Sequence, residues 1–94
     1  MASEEIRVRA VVHGRVQAVG FRDFATRRAR NAGLKGTIRN LPDGSVEADL
    51  QGPRQAVDQL VAQLRQGPPL ARVETVDVEP LEPDGSLPSM TVTG

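Results

Sequence analysis

The sequence predicts an α+β sandwich in the order βαββαβ, with two helices on one face of an antiparallel sheet of four to five strands. Three observations predict it. Apolar and charged residues alternate with period two at 6–12, 46–50 and 76–79, as in strands with one buried face. Two stretches, 21–32 and 57–64, instead repeat their apolar residues at helical spacing. Turn chemistry separates the elements, most clearly at Pro42-Asp43-Gly44. Strands and helices in that order form a split βαβ unit, the ferredoxin-like arrangement.

Each element follows from its residues. Ile6, Val8, Ala10 and Val12 alternate with Arg7, Arg9 and Val11 as a first strand. Gly14 and Gly20 bracket a short loop, after which Phe21, Phe24, Ala25, Ala29 and Ala32 mark a helix ending at the C-capping Gly33. Gly36–Asn40 is expected as the second strand, and Val46, Ala48 and Leu50 as the third, paired as a hairpin. Gly52-Pro53 opens the second helix, with proline at its first position. Val57, Leu60, Val61 and Leu64 form its apolar stripe, and Gly67-Pro68-Pro69 ends it. Val76 and Val78 mark a fourth strand, and 89–93 a short fifth one after a turn-rich stretch at 80–88. Arg7 and Arg9 are expected to face Glu47 and Asp49 across the open face of the sheet.

Composition narrows the function. The 94 residues fit one domain, 1–94, with 38% hydrophobic and 26% charged residues as in a soluble globular protein. No apolar run would span a bilayer, and the start MASEEIRV has no signal-like apolar stretch. These features predict a cytoplasmic protein with no membrane partner. The chain has no cysteine, so thiol nucleophiles, disulfides and thiolate metal sites are excluded. Its single histidine, His13, excludes a multi-histidine metal centre. With 12 basic and 12 acidic residues the net charge is zero, which argues against a nucleic-acid partner. The average conceals a division, because 1–47 holds nine basic and five acidic residues whereas 48–94 holds three and seven. The front half therefore suits a small anion.

The first loop is where such an anion fits. In a split βαβ unit the first two strands are parallel, so both end at one edge of the sheet. The loop from Gly14 through Arg15, Val16, Gln17, Ala18 and Val19 to Gly20 leaves the first strand there and enters a helix N-terminus. Successive inward N–H groups in such a loop, aided by the helix dipole, bind phosphate. Arg22 in the first helical turn opposes that dipole and needs an anion to justify its place. On these grounds alone an ordinary strand-to-helix turn explains the loop as well.

Two stretches carry a family resemblance. Gly14-Arg15-Val16-Gln17-Ala18-Val19-Gly20-Phe21-Arg22 resembles the acylphosphatase signature G-x-V-Q-G-V-x-F-R. The stretch from Gly36 through Asn40, Asp43 and Gly44 to Val46 resembles that family's second motif, G-x-x-x-N-x-x-D-G-x-V. The likeness spans nearly the whole chain. It implies hydrolysis of acyl phosphates to carboxylate and inorganic phosphate. The backbone amides of Arg15, Val16, Gln17, Ala18, Val19 and Gly20, together with Arg22, would hold the phosphate, and Asn40 would orient the attacking water. It also implies no metal, no cofactor and no covalent intermediate, in a monomer acting on a small molecule.

One departure bears on the site. Ala18 stands where the signature has glycine. With positive φ it costs on the order of 1 kcal/mol and one amide is misaimed; with negative φ nothing is lost. Thr37 replaces an often aromatic residue, which concerns packing.

Other residues have plainer roles. His13 is expected at an exposed strand end and Asp43 in a hairpin turn. Arg27, Arg28 and Arg30 are expected on a solvated helix face that weakly steers anions, and Arg39 on the sheet face opposite Asn40. Phe21 and Phe24 are expected in the core, with Phe21 also walling the site.

Two other functions compete. A non-catalytic regulatory domain of the same fold that binds phosphate or acyl phosphate is motivated by Ala18. An RNA-recognition module shares the βαββαβ layout, but the predicted strands lack the aromatic residues that stack bases.

Overall fold

A computed structural model describes residues 4–94, so Met1–Ser3 at the head of the acidic start lie outside the described residues. Strand β1 (Glu5–Arg15) leads into helix α1 (Phe21–Asn31), then strands β2 (Lys35–Asn40) and β3 (Val46–Pro53). Helix α2 (Arg54–Gln66), strand β4 (Arg72–Leu81) and strand β5 (Thr91–Val92) follow. The sheet order is β4-β1-β3-β2-β5. All pairings are antiparallel except β2–β5, which is parallel and makes the sheet mixed.

One sheet face carries the core. Val8, Ala10 and Val12 of β1, Ile38 of β2, and Val46, Ala48 and Leu50 of β3 are all buried. The helices cover this face with Phe21, Ala25 and Ala29 from α1 and Val57, Leu60 and Leu64 from α2. Burying each large apolar side chain contributes roughly 1.5–3 kcal/mol, so this layer holds both helices in place. Met90, just before β5, is fully buried and joins the same cluster. Phe24 departs from the expected core: it is only half-buried, with the Arg28 guanidinium 4.5 Å above its ring.

The opposite face is polar. The Arg7 guanidinium meets Asp49 at 2.7 Å, while Arg9 and Arg39 meet Glu47 at 2.6 and 3.0 Å. Arg39 thus lies on the face expected for it. The segment between β4 and β5 hydrogen-bonds this face: Gln51 Oε1 accepts from the Asp84 N–H at 2.7 Å, and its Nε2 donates to the Asp84 carbonyl at 3.1 Å.

Several boundaries shift from the sequence reading. β1 continues past Val12 to Arg15, with a register shift between His13 and Gly14. Gly14 has φ 128°, and a Cβ there would lie 2.2 Å from the Arg72 carbonyl oxygen, so only glycine fits this bulge. Pro53 caps α2 rather than opening it, and α2 begins at Arg54. β4 extends to Leu81, into the stretch read as turn-rich, and β5 is confined to Thr91–Val92.

Candidate active site

Register places the site. Val46 at the start of β3 pairs with Val12 of β1 on one side and Asn40 of β2 on the other. The chain leaving β1 and the end of β2 therefore meet at one edge, separated only by β3.

The loop between β1 and α1 is held from below. Val16 is buried, and Val19 packs against the core from a half-buried position. Gln17 ties the loop to the β2–β3 turn, since its Nε2 donates to the carbonyls of Leu41 at 2.8 Å and Ser45 at 2.9 Å. That turn is itself fixed. Asp43 Oδ1 accepts from the Ser45 N–H at 2.9 Å, and the Leu41 N–H donates to the Ser45 carbonyl at 2.8 Å. Hydrogen bonds from the Ser45 side chain and backbone hold the Asp43 carboxyl below its ordinary value. Asp43 is therefore a turn residue, as its sequence context predicts.

Two residues at the loop's end bend the chain into the helix. Ala18 has φ 59°, the positive-φ case that its departure from the signature left open, and it alone among the described non-glycine residues has positive φ. Gly20 has φ 79° and occupies the N-cap of α1 with no side-chain cap. The first-turn N–H groups of a helix have no partner within it. Together with the dipole they present positive partial charge at this end of α1.

A cavity of about 160 Å³ opens at this edge. Val16, Ala18 and Gly20 line it from the loop, and Phe21, Arg22, Asp23 and Asn40 from the elements around it. Of the sequence-predicted site residues, Arg22 and Asn40 are thus brought together with three of the loop positions. Arg15 sits at the exposed end of β1, paired with Arg72, and neither Gln17 nor Val19 lines the cavity. A larger groove of about 560 Å³ lies along the start of α2 and shares no residue with the loop; it carries none of this chemistry.

Arg22 and Asn40 have complementary potential. The Arg22 guanidinium donates from Nη1 to a main-chain oxygen of Gly94, and a guanidinium carries five N–H donors in all. Asn40 Oδ1 is buried and has no protein hydrogen-bond partner. Leaving a buried acceptor unpaired costs about 1–3 kcal/mol, so the atom suits a donor that arrives from outside the protein.

Two features escaped sequence reasoning. The motif assigns Gln17 only a backbone amide, whereas its side chain ties the loop to the β2–β3 turn; a long amide within the loop is the signal for it. Asp23 also lines the cavity, where a carboxylate opposes an anion; Arg27 Nε meets it at 3.1 Å, and their i, i+4 spacing was the signal. Phe21 is both core and wall, as expected. His13 sits beside Asp77 at 3.2 Å near the end of β1. No described helix is long and apolar enough to cross a membrane.

Comparison with known proteins identifies the family. The acylphosphatase family model matches residues 8–90. The chain is 51% identical over 85 residues to an acylphosphatase of Anaeromyxobacter dehalogenans, covering 90% of this chain and 91% of that protein. Over 82 residues it is 48% identical to an acylphosphatase of Thermococcus kodakarensis, covering 87% and 90% of the two chains. The crystal structure of acylphosphatase from Bacillus subtilis superposes with a TM-score of 0.90 at 30% identity, covering 95% of this chain and 99% of that one. The chain belongs to the acylphosphatase family of hydrolases, whose reaction is the hydrolysis of acyl phosphates.

Proposed function

We propose that the chain hydrolyses the carboxyl–phosphate bond by direct attack of a water, oriented by Asn40, on a phosphate held by the loop amides of residues 15–20 and by Arg22. The observation that carries this reading is the Asn40 Oδ1 atom, buried without a partner in a residue that lines the same cavity as Arg22. A water donating one hydrogen to Oδ1 has its lone pair free to face the phosphorus.

The chemistry needs little more. The water oxygen forms a bond to phosphorus while the bond from phosphorus to the acyl oxygen breaks. The carboxylate leaves with that electron pair, and the water's proton passes to a phosphoryl oxygen. An acyl phosphate dianion thus gives a carboxylate and dihydrogen phosphate. A carboxylate with a conjugate acid of pKa about 4 needs no general acid to leave. Catalysis then rests on positioning the water and on stabilising phosphoryl charge by the amides, the helix end and Arg22. On this reading the enzyme requires no metal or other cofactor and acts as a cytoplasmic monomer on a small-molecule substrate.

Hydrolysis of benzoyl phosphate in ¹⁸O-water with EDTA present tests the reading. The expected result is turnover with the label in phosphate. Label in benzoate would place the attack at the carbonyl carbon and contradict the mechanism. Phosphate binding without turnover would favour the regulatory-domain alternative.

A further inference from the structure

We propose that the groove running from Gly20 and Asp23 to Pro68 seats the acyl group of the substrate, and that Arg28 within it favours acyl groups bearing a second anionic group. The inference rests on the acyl phosphate reading above and adds the place and chemical class of the leaving group.

The groove holds about 490 Å³, within the ~300–1,000 Å³ usual for small-molecule sites. It adjoins the smaller cavity, with Gly20 and Asp23 in the walls of both. Of these two, Asn40 lines the small cavity alone, whereas Val19, Phe24, Arg28 and Pro68 line the groove alone. In-line displacement at phosphorus puts the attacking water and the leaving oxygen on opposite sides. With the water at Asn40, the acyl group departs away from that residue, and the groove beyond Gly20 and Asp23 is there to receive it.

Its walls indicate what it receives. Val19, Phe24 and Pro68 offer apolar surface to the carbon skeleton. The cations differ in availability. Arg27 is engaged by Asp23 at 3.1 Å, and Arg30 Nε donates to the Met90 carbonyl at 2.9 Å. Arg28 has no carboxylate partner among the described residues, and its guanidinium carbon lies over the Phe24 ring, 4.5 Å from the centroid. A guanidinium held over a ring by cation–π attraction is restrained in place while N–H groups remain for a carboxylate. The helix dipole accounts for a cation in the last turn of α1. It does not account for a half-buried aromatic beneath that cation in the wall of an open groove.

The test compares benzoyl phosphate with its 3-carboxy and 4-carboxy derivatives, which are rigid and place the second anion at two distances. The wild type is expected to show a lower KM for at least one carboxylated substrate than for benzoyl phosphate, an advantage that shrinks in high salt. Arg28→Gln should raise the KM of that substrate about fivefold relative to the KM of benzoyl phosphate, the most an exposed ion pair usually supplies. Arg28→Lys should restore part of the preference, and Arg28→Glu should reverse it. Arg28→Gln affecting all three substrates equally, or none, would overturn the proposal. A wild type that hydrolyses none of them would instead contradict the acyl phosphate reading itself.

Discussion

Arg22 and Asn40 share one acceptor, a main-chain oxygen of Gly94, which takes a hydrogen bond from the Arg22 guanidinium and another from the Asn40 backbone N–H at 3.0 Å. The segment after β5 therefore fixes the first turn of α1 relative to the end of β2. Its attachment is broad. Thr93 N–H donates to the Ile38 carbonyl at 2.9 Å, Gly36 N–H donates to the Pro88 carbonyl at 2.9 Å, and Met90 is buried. The two residues proposed to bind phosphate and water are held at a set separation by backbone rather than by each other.

Gln17 is expected to matter more for rate than its distance from the chemistry suggests. Gln17→Ala removes two hydrogen bonds that tie the loop to the Leu41–Ser45 turn. At about 1 kcal/mol each the loss of stability should be about 1–2 kcal/mol. Urea unfolding measures that loss, and kcat for benzoyl phosphate should fall with it as the amide cradle loosens.

Ala18 already holds the left-handed conformation a glycine would take there. The misaimed amide expected for a positive φ therefore does not follow, because φ 59° is a value a glycine would adopt there, and the cost of Ala18 lies in stability. Ala18→Gly should stabilise the protein by up to about 1 kcal/mol with little change in rate. The converse change, Gly20→Ala, meets no atom within 4 Å and should cost about 1–2 kcal/mol by backbone strain alone. Thermal unfolding of both variants checks the pair of signs.

Acid should weaken the open sheet face. Partial burial pushes the Glu47 carboxyl up, but hydrogen bonds from Arg9 and Arg39 outweigh that and hold it below its ordinary value of 4.5. The folded chain then takes up this proton less readily than the unfolded one. Glu47 thus contributes stability that is present above about pH 4.5 and lost as pH falls through the lowered folded value. Denaturation midpoints measured from about pH 6 down to about pH 3 should fall, and Glu47→Gln should flatten the descent.

The βαββαβ order and the hairpin were legible because they depend on alternation and turn chemistry within a few residues, and the split βαβ topology then set Arg7 and Arg9 facing Asp49 and Glu47. Gly14 misled, since a glycine that ends a strand and one that permits a bulge within it read alike. Phe24 fits the helical spacing of the core, but its place at the rim of the α1 stripe leaves half of it in solvent beside Arg28. Arg22 and Asn40 were legible as candidate site residues through the two motifs, and both line the same cavity. Their shared anchor at Gly94 was not, because that contact joins positions 72 residues apart and depends on the parallel docking of β5. The vacant acceptor of Asn40 is likewise a property of packing.

The division of labour between Arg22 and Asn40 is the central claim, and steady-state hydrolysis of benzoyl phosphate, with phosphate as inhibitor, tests it most directly. Asn40→Ala should lower kcat by about 10²–10³ while inhibition by phosphate is retained, and Arg22→Ala should weaken phosphate inhibition as well as turnover. An Asn40→Ala protein that is folded and turns over at the wild-type rate would contradict the account.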